Sequence, residues 1–300
     1  MTLEQQTVLD ALHGVLDPHT GKDFVSTKAL KNLQINDGDV SFDVELGYPA
    51  KSQLAGIRKL LIAAAKGVAG VSNVSVNVSL KIASHSVQRG VQLLPNVKNI
   101  VAVASGKGGV GKSTTAVNLA LAAEGASVGL LDADIYCPSQ PMIMGIEGRP
   151  ESADGKNMEP MENYGIQVMS IGFLVAQDEA MIWRDPMATQ ALEQLLRQTN
   201  WKDLDYLLVD MPPCTGDIQL TLSQRVPITG AVIVTTPQDI ALLDTKTGIK
   251  MFEKVGVPIL GIVENMAVHI CSQCGHAEHI FGEGGGRFVF GAIRDRKSVV

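Results

Sequence analysis

Residues Gly106-Lys107-Gly108-Gly109-Val110-Gly111-Lys112-Ser113 constrain this chain more than any other stretch. They satisfy the pattern G-x-x-x-x-G-K-[ST] of a phosphate-binding loop. Glycines at 106, 108, 109 and 111 let backbone N–H groups converge on phosphate oxygens without interference from Cβ atoms. Lys112 adds a positive charge, and Ser113 offers a hydroxyl to Mg²⁺. Such a loop needs a strand before it and a helix after it. The flanks supply both: residues 100–104 form a short apolar run of the kind buried on both faces of a sheet, and 113–123 reads as a helix.

The alternation continues downstream. Apolar runs at 128–131, 166–171, 207–209, 231–234 and 259–263 read as strands, with helical patterns at 188–197 and 240–255 among them. This order predicts an α/β fold with a doubly wound, mostly parallel sheet. Ligands of such sheets bind at the carboxyl ends of the strands. The glycine loop, Asp132, Asp134, Asp210 and Thr236 all fall there. Asp210 suits Mg²⁺, directly or through water. Of Asp132 and Asp134, Asp134 is the candidate for orienting the attacking water; the alternative is a capping role. Lys107 is not required by the ordinary motif. From the second loop position it can point toward the γ-phosphate of a facing subunit and stabilise transition-state charge there. The alternative is a solvated loop lysine.

Residues 1–82 read as a small α+β domain: a helix near 3–15, strands at 29–35 and 40–46 around the turn Asn36-Asp37-Gly38-Asp39, a helix at 54–65 and a strand at 71–82. The order is α-β-β-α-β. Residues 83–97 are polar and read as a linker to the nucleotide-binding domain at 98–284. A length of 300 residues agrees with about two domains. Aromatics make up only 4% of the chain, so the core must be aliphatic. The net charge of −6 and the lack of any basic block argue against nucleic acid or an anionic membrane as partner. No run approaches the roughly 18 apolar residues of a membrane span. The first residues lack a signal-peptide pattern, so a cytoplasmic protein is expected. Cys137, Cys214, Cys271 and Cys274 are then expected to be thiols or metal ligands rather than disulfides.

Cys271-Ser272-Gln273-Cys274 follows the last predicted strand. Its C-x-x-C spacing lets two thiolates reach one metal. A [4Fe–4S] cluster or a tetrahedral zinc needs about four ligands. Two identical chains facing each other would supply four, which agrees with the dimer that Lys107 suggests. Three alternatives stand beside this: one zinc held by Cys271, Cys274, His276 and His279, a redox dithiol, and two uninvolved thiols.

The form Gly-Lys-Gly-Gly-Val-Gly-Lys-Ser-Thr, ending at Thr114, resembles the deviant Walker A family of MinD, ParA, nitrogenase iron protein and the Mrp/ApbC proteins. The segment Glu264-Asn265-Met266-Ala267-Val268-His269-Ile270-Cys271-Ser272-Gln273-Cys274-Gly275-His276 resembles the Mrp/ApbC iron–sulfur carriers. So do Asp132-Ala133-Asp134-Ile135-Tyr136, Gly216-Asp217-Ile218-Gln219-Leu220 and Thr235-Thr236-Pro237-Gln238-Asp239. The N-terminal unit resembles the small domain of iron–sulfur assembly factors. The likeness spans residues 1–284 or so. It implies a homodimer that hydrolyses ATP, holds a labile [4Fe–4S] cluster on Cys271 and Cys274 of both chains, and works between scaffold proteins and apoproteins. It assigns Lys107 as the signature lysine, Lys112 as the loop lysine, Asp134 to the first switch, Asp210 to the Mg²⁺ side and Asn265 to the adenine. A MinD/ParA-like positioning ATPase, a nitrogenase-like reductase and a zinc-binding regulator are the alternatives. A positioning ATPase would leave Cys271 and Cys274 without a task.

The chain departs from the family in two respects. Cys137, Cys214 and Asp185 stand where glycine is usual. If those glycines take positive φ, each side chain costs about 1–2 kcal/mol. After Gly284, Arg287-Phe288-Val289-Phe290 does not resume the family pattern. Residues 285–300 then read as an atypical tail, as from a truncated or frameshifted gene. A strand missing there would leave a sheet edge and one wall of the nucleotide pocket uncovered.

Overall fold

The computed structural model describes residues 5–88, 90–175, 185–213 and 217–297. The chain forms two compact units, residues 1–83 with 124–126 and residues 84–123 with 127–300.

The first unit runs α1 (Gln5–His13), β1 (Leu30–Asn36), β2 (Asp39–Leu46), α2 (Leu54–Lys66) and β3 (Asn73–Leu80), in the order expected. Asn36 pairs with Asp39, which leaves Asp37 and Gly38 as a two-residue turn. Both have positive φ, 47° and 89°. That geometry matches the twist of the flanking strands. Val40, Phe42, Val44 and Leu46 alternate along β2 and are buried in one cluster with Ile57, Leu61 and Ala65 of α2 and Val8 and Leu12 of α1. Helix α2 carries the chain back so that β3 pairs parallel to β2.

The second unit runs β4 (Val97–Ala104), α3 (Lys112–Leu121), β5 (Val128–Asp132), α4 (Gln140–Ile143), β6 (Met161–Asn163), β7 (Ile166–Ser170), α5 (Asp185–Gln198), β8 (Leu204–Asp210), α6 (Asp217–Arg225), β9 (Gly230–Thr235), α7 (Asp239–Lys254), β10 (Ile259–Glu264), β11 (His269–Ile270), β12 (Ala277–Glu278) and α8 (Gly285–Lys297). Seven strands form one sheet in the order β10-β9-β4-β8-β5-β7-β6. All pairings are parallel except β6 with β7. Every residue of β5 and β7 is buried, as continuous apolar runs require. Register then sets the site. Val103 pairs with Asp210, and Asp210 pairs with Asp132. The glycine loop and two acidic strand ends therefore emerge side by side.

Several elements differ from expectation. Strand β6 has three residues, too few to show a period. Helix α6 was not anticipated. Residues 285–297, where the sequence shows no periodicity, form α8. Its start is capped from a distance: Glu264 Oε1 accepts the Gly284 N–H at 2.8 Å, and Oε2 accepts that of Gly286. Gly285 packs so closely on Leu242 of α7 that a Cβ there would overlap it, and Val289 is buried. The condition set for strain at the altered glycine positions is not met at Cys137, which does not have positive φ, and Asp185 opens α5. Cys214 lies outside the described residues. Among the described residues no helix is long and apolar enough to cross a membrane.

Candidate functional site

Strand β4 delivers the chain to Ser105, whose hydroxyl donates to the Lys107 carbonyl at 2.9 Å and pins the entry to the loop. Gly109 and Gly111 have φ of 77° and 85°, values that need glycine. Gly106 faces α7 so closely that a Cβ would lie within 3.0 Å of the Asp244 and Thr245 backbone. A Cβ on Gly111 would overlap the Asn265 amide. Asn265 follows β10; its N–H donates to Thr235 O at 2.8 Å, and its Nδ2 donates to Val110 O at 2.9 Å. The sequence-predicted Asn265 is thus brought against the loop, with its nitrogen committed to the loop backbone. The N–H groups of Gly108, Gly109, Val110 and Gly111 donate to no group among the described residues. With the start of α3 they offer convergent donors to an anion.

Lys112 and Ser113 open α3. Lys112 is buried; its Nζ pairs with Asp210 Oδ1 and lies 3.3 Å from Ser113 Oγ. Asp210 is fully buried at the end of β8. Gln140, at the start of α4, was missed by sequence reading. Its Nε2 donates to Asp210 Oδ2 at 2.8 Å and to Ser113 O at 3.2 Å. Its N–H donates to Asp132 Oδ2 at 3.1 Å. Asp132 also accepts from the Ser170 hydroxyl at 3.1 Å and from the Asp134 N–H at 3.1 Å. Asp134 Oδ1 accepts the Cys137 N–H at 3.2 Å. Burial pushes the Asp134 carboxyl up, opposed by the charge of Lys112.

Burial first, and then the charge of Asp210, push the Asp132 carboxyl from 3.8 up to about 7. The folded chain therefore binds more protons here than the unfolded chain between those two values. Stability contributed by Asp132 is present at the acid end of that window and is lost as pH rises through it. Asp132→Asn does not titrate. The stability margin of the parent over Asp132→Asn is expected to shrink from the acid to the neutral end, as read by denaturant titration without nucleotide. A constant margin would contradict this.

Cys271 and Cys274 sit apart from this constellation, in the hairpin of β11 and β12. The Cys271 N–H donates to His276 O at 2.9 Å, the Gly275 N–H donates to Cys271 O at 2.9 Å, and Gly275 has φ of 71°. The backbone N–H groups of Cys274 and Gln273, with the Cys274 thiol, point at the Cys271 sulfur and hold its thiol below the usual range. That favours the thiolate, the form that binds metal. The pair lies in a hairpin rather than at a helix start, unlike the setting expected of a redox dithiol. Both ring nitrogens of His279 are engaged, Nδ1 at 2.6 Å from Ala267 O and Nε2 at 3.1 Å from Glu283. Among the described residues no three His, Cys, Asp or Glu side chains gather around one metal position. Among the described residues the hairpin thus presents two sulfurs and no assembled four-ligand zinc site.

The family model described as NUBPL iron-transfer P-loop NTPase matches residues 96–293. The chain belongs to that family. The family match runs past Gly284 into α8, beyond the point where the resemblance was expected to stop. A second model, for iron–sulfur cluster assembly proteins, matches residues 5–78. An iron–sulfur cluster carrier protein from Pseudomonas fragi is 63% identical over 221 residues, covering 72% of this chain and 77% of that protein. The iron–sulfur cluster carrier protein of Escherichia coli K12 is 52% identical over 271 residues, covering 89% of this chain and 73% of that protein. A nucleotide-binding protein from Archaeoglobus fulgidus, solved in complex with ADP, superposes with a TM-score of 0.58 at 40% identity, covering 66% of this chain and 79% of that one.

Proposed function

We propose that this protein binds and hydrolyses ATP at residues 106–114 and, as a homodimer, carries a [4Fe–4S] cluster on Cys271 and Cys274 of both copies. It would receive the cluster from scaffold proteins and deliver it to apoproteins. The observation that carries this reading is the two-sulfur hairpin on the same unit as the phosphate loop. It is half a ligand set, and a second copy completes it. Val268, Ile270, Ile280 and Phe281, which flank the cysteines, are all exposed. An apolar surface around a half-site suits a second copy.

In the nucleotide half, Lys112 is the buried cation nearest the loop donors. Incoming phosphates compete with Asp210 for it and release Asp210 Oδ1. Asp210 Oδ1 and Ser113 Oγ, which both lie on Lys112 Nζ, form an oxygen pair that fits Mg²⁺. Bound there, Mg²⁺ would neutralise charge on the phosphates. Asp134 would orient the attacking water. Asn265 braces the loop through Nδ2 and keeps its side-chain oxygen for the adenine. Lys107 is unlike Lys112: it is exposed and makes no ion pair among the described residues. It lines a cleft of about 700 Å³ with Gln238, Asp239, Phe281 and Glu283. From there it would reach the partner's nucleotide. Lys107→Ala is expected to lower turnover about a thousandfold, the scale of losing an arginine finger, while nucleotide binding persists. Equal losses in binding and turnover would remove this role.

The reading is tested by anaerobic loading with iron and sulfide, followed by metal analysis and mass measurement. About four irons and four sulfides per pair of chains are expected. Full iron on a monomer would overturn the bridged site. Zinc without sulfide would favour a metal-binding regulator, and a protein taking up neither would favour a positioning ATPase.

A further inference from the structure

Gln140 is fully buried, and each of its polar groups but one has a partner. Its N–H is held by Asp132, and its Nε2 by Asp210 Oδ2 and Ser113 O. The orientation of the amide is fixed by chemistry. Asp210 Oδ2 and Ser113 O are both acceptors, so the nitrogen must face them and Oε1 must face away. Oε1 is left without a donor among the described residues. What Gln140 does reach is Asp210. The Asp210 carboxylate and Ser113 Oγ, which both lie on Lys112 Nζ, are the two groups suited to a phosphate-bound divalent cation. Gln140 holds the Asp210 oxygen that Lys112 does not, and meets Ser113 at its backbone carbonyl. The backbone anchor to Asp132 holds Gln140 in place at the end of the loop that also carries Asp134 and Cys137.

We propose that Gln140 is a positioning residue of the divalent-metal side of the nucleotide site. Its Nε2 holds Oδ2 of the Asp210 carboxylate and so sets the orientation in which Oδ1 would be offered to the metal beside Ser113 Oγ. The assignment rests on the ATP–Mg²⁺ reading above. It makes this glutamine a metal-affinity determinant rather than a general support of the loop.

Mn²⁺ serves as the probe, titrated by EPR into the full chain saturated with ADP. In Gln140→Met, which keeps the length and loses both amide groups, Mn²⁺ affinity is expected to fall about tenfold to a hundredfold, the usual loss when an outer partner of a metal ligand is removed. ADP affinity in EDTA is expected to stay near that of the parent. Gln140→Leu provides a second variant, and thermal melts establish that each is folded. Mn²⁺ binding that is unchanged or tighter in a folded variant overturns the proposal. So does an ADP affinity that falls as far in EDTA as in Mn²⁺, because that would be a structural role. A parent that takes up no Mn²⁺ with ADP would remove the metal reading of the site and this assignment with it; a parent that does, beside unaffected variants, removes the assignment alone.

Discussion

Replacing Lys112 with alanine is expected to abolish nucleotide turnover and also to destabilise the protein without nucleotide. The first effect follows from removing the buried cation beside the loop donors; a loss of at least about a hundredfold is the scale for one such group. The second follows from Asp210. Its carboxylate is fully buried, one oxygen is paired with Lys112, and the Asp132 carboxylate lies across from it in the sheet register. Removing one partner of a buried ion pair typically costs about 3–5 kcal/mol, because the other charge is left uncompensated. The cost should grow as pH rises through the window of Asp132, since a protonated Asp132 carboxyl does not repel Asp210. The double variant Lys112→Ala/Asp210→Asn should regain much of the stability and none of the turnover. Thermal melts and phosphate release, measured on both variants, separate the two effects. Turnover surviving in Lys112→Ala would remove the phosphate-loop assignment. An unchanged melting temperature would instead mean that the ion pair contributes nothing net.

The nucleotide half of the site was legible in sequence because its information is local. Gly106, Gly111, Lys112 and Ser113 lie within eight positions, and the strand before and helix after them have clear periods. Asp210 and Asp132 were found as acidic ends of apolar runs, although only the strand register shows that they are neighbours. Gln140 was not found. It is one polar residue opening a four-residue helix, with no motif and no period, and its contacts to Asp132, Ser113 and Asp210 are all distant in sequence. Helix α8 was missed for a related reason. Its start is capped by Glu264 and packed on Leu242, both distant in sequence. Strain at Cys137 was conditional on a left-handed backbone there, and the backbone at that position does not take the left-handed form. The short strands β11 and β12 carry no propensity signal either. The spacing of Cys271 and Cys274 marked the hairpin's chemistry, while its geometry depends on the positive φ of Gly275.

The largest effect on cargo is expected from Cys271→Ala: complete loss of reconstituted iron and sulfide, with nucleotide binding retained. Cys271 is the sulfur toward which the Cys274 and Gln273 N–H groups point, so its thiolate is prepared for a metal. Its hairpin makes no contribution to the loop donors or to the Lys112–Asp210 pair, so the phosphate half should be spared. Mixing then tests whether the cluster is shared. If two chains hold one cluster, a mutant chain disables the intact chain it pairs with. Equal amounts of parent and Cys271→Ala, dissociated and allowed to pair at random, should contain about a quarter of pairs with all four thiolates. Iron should then fall to about a quarter of the parent value, well under the half expected if each chain held its metal alone. Iron tracking the fraction of parent chains in a straight line would remove the bridged site while leaving the cysteines as ligands. Iron falling as the square of that fraction is what a metal centre built from two half-sites requires.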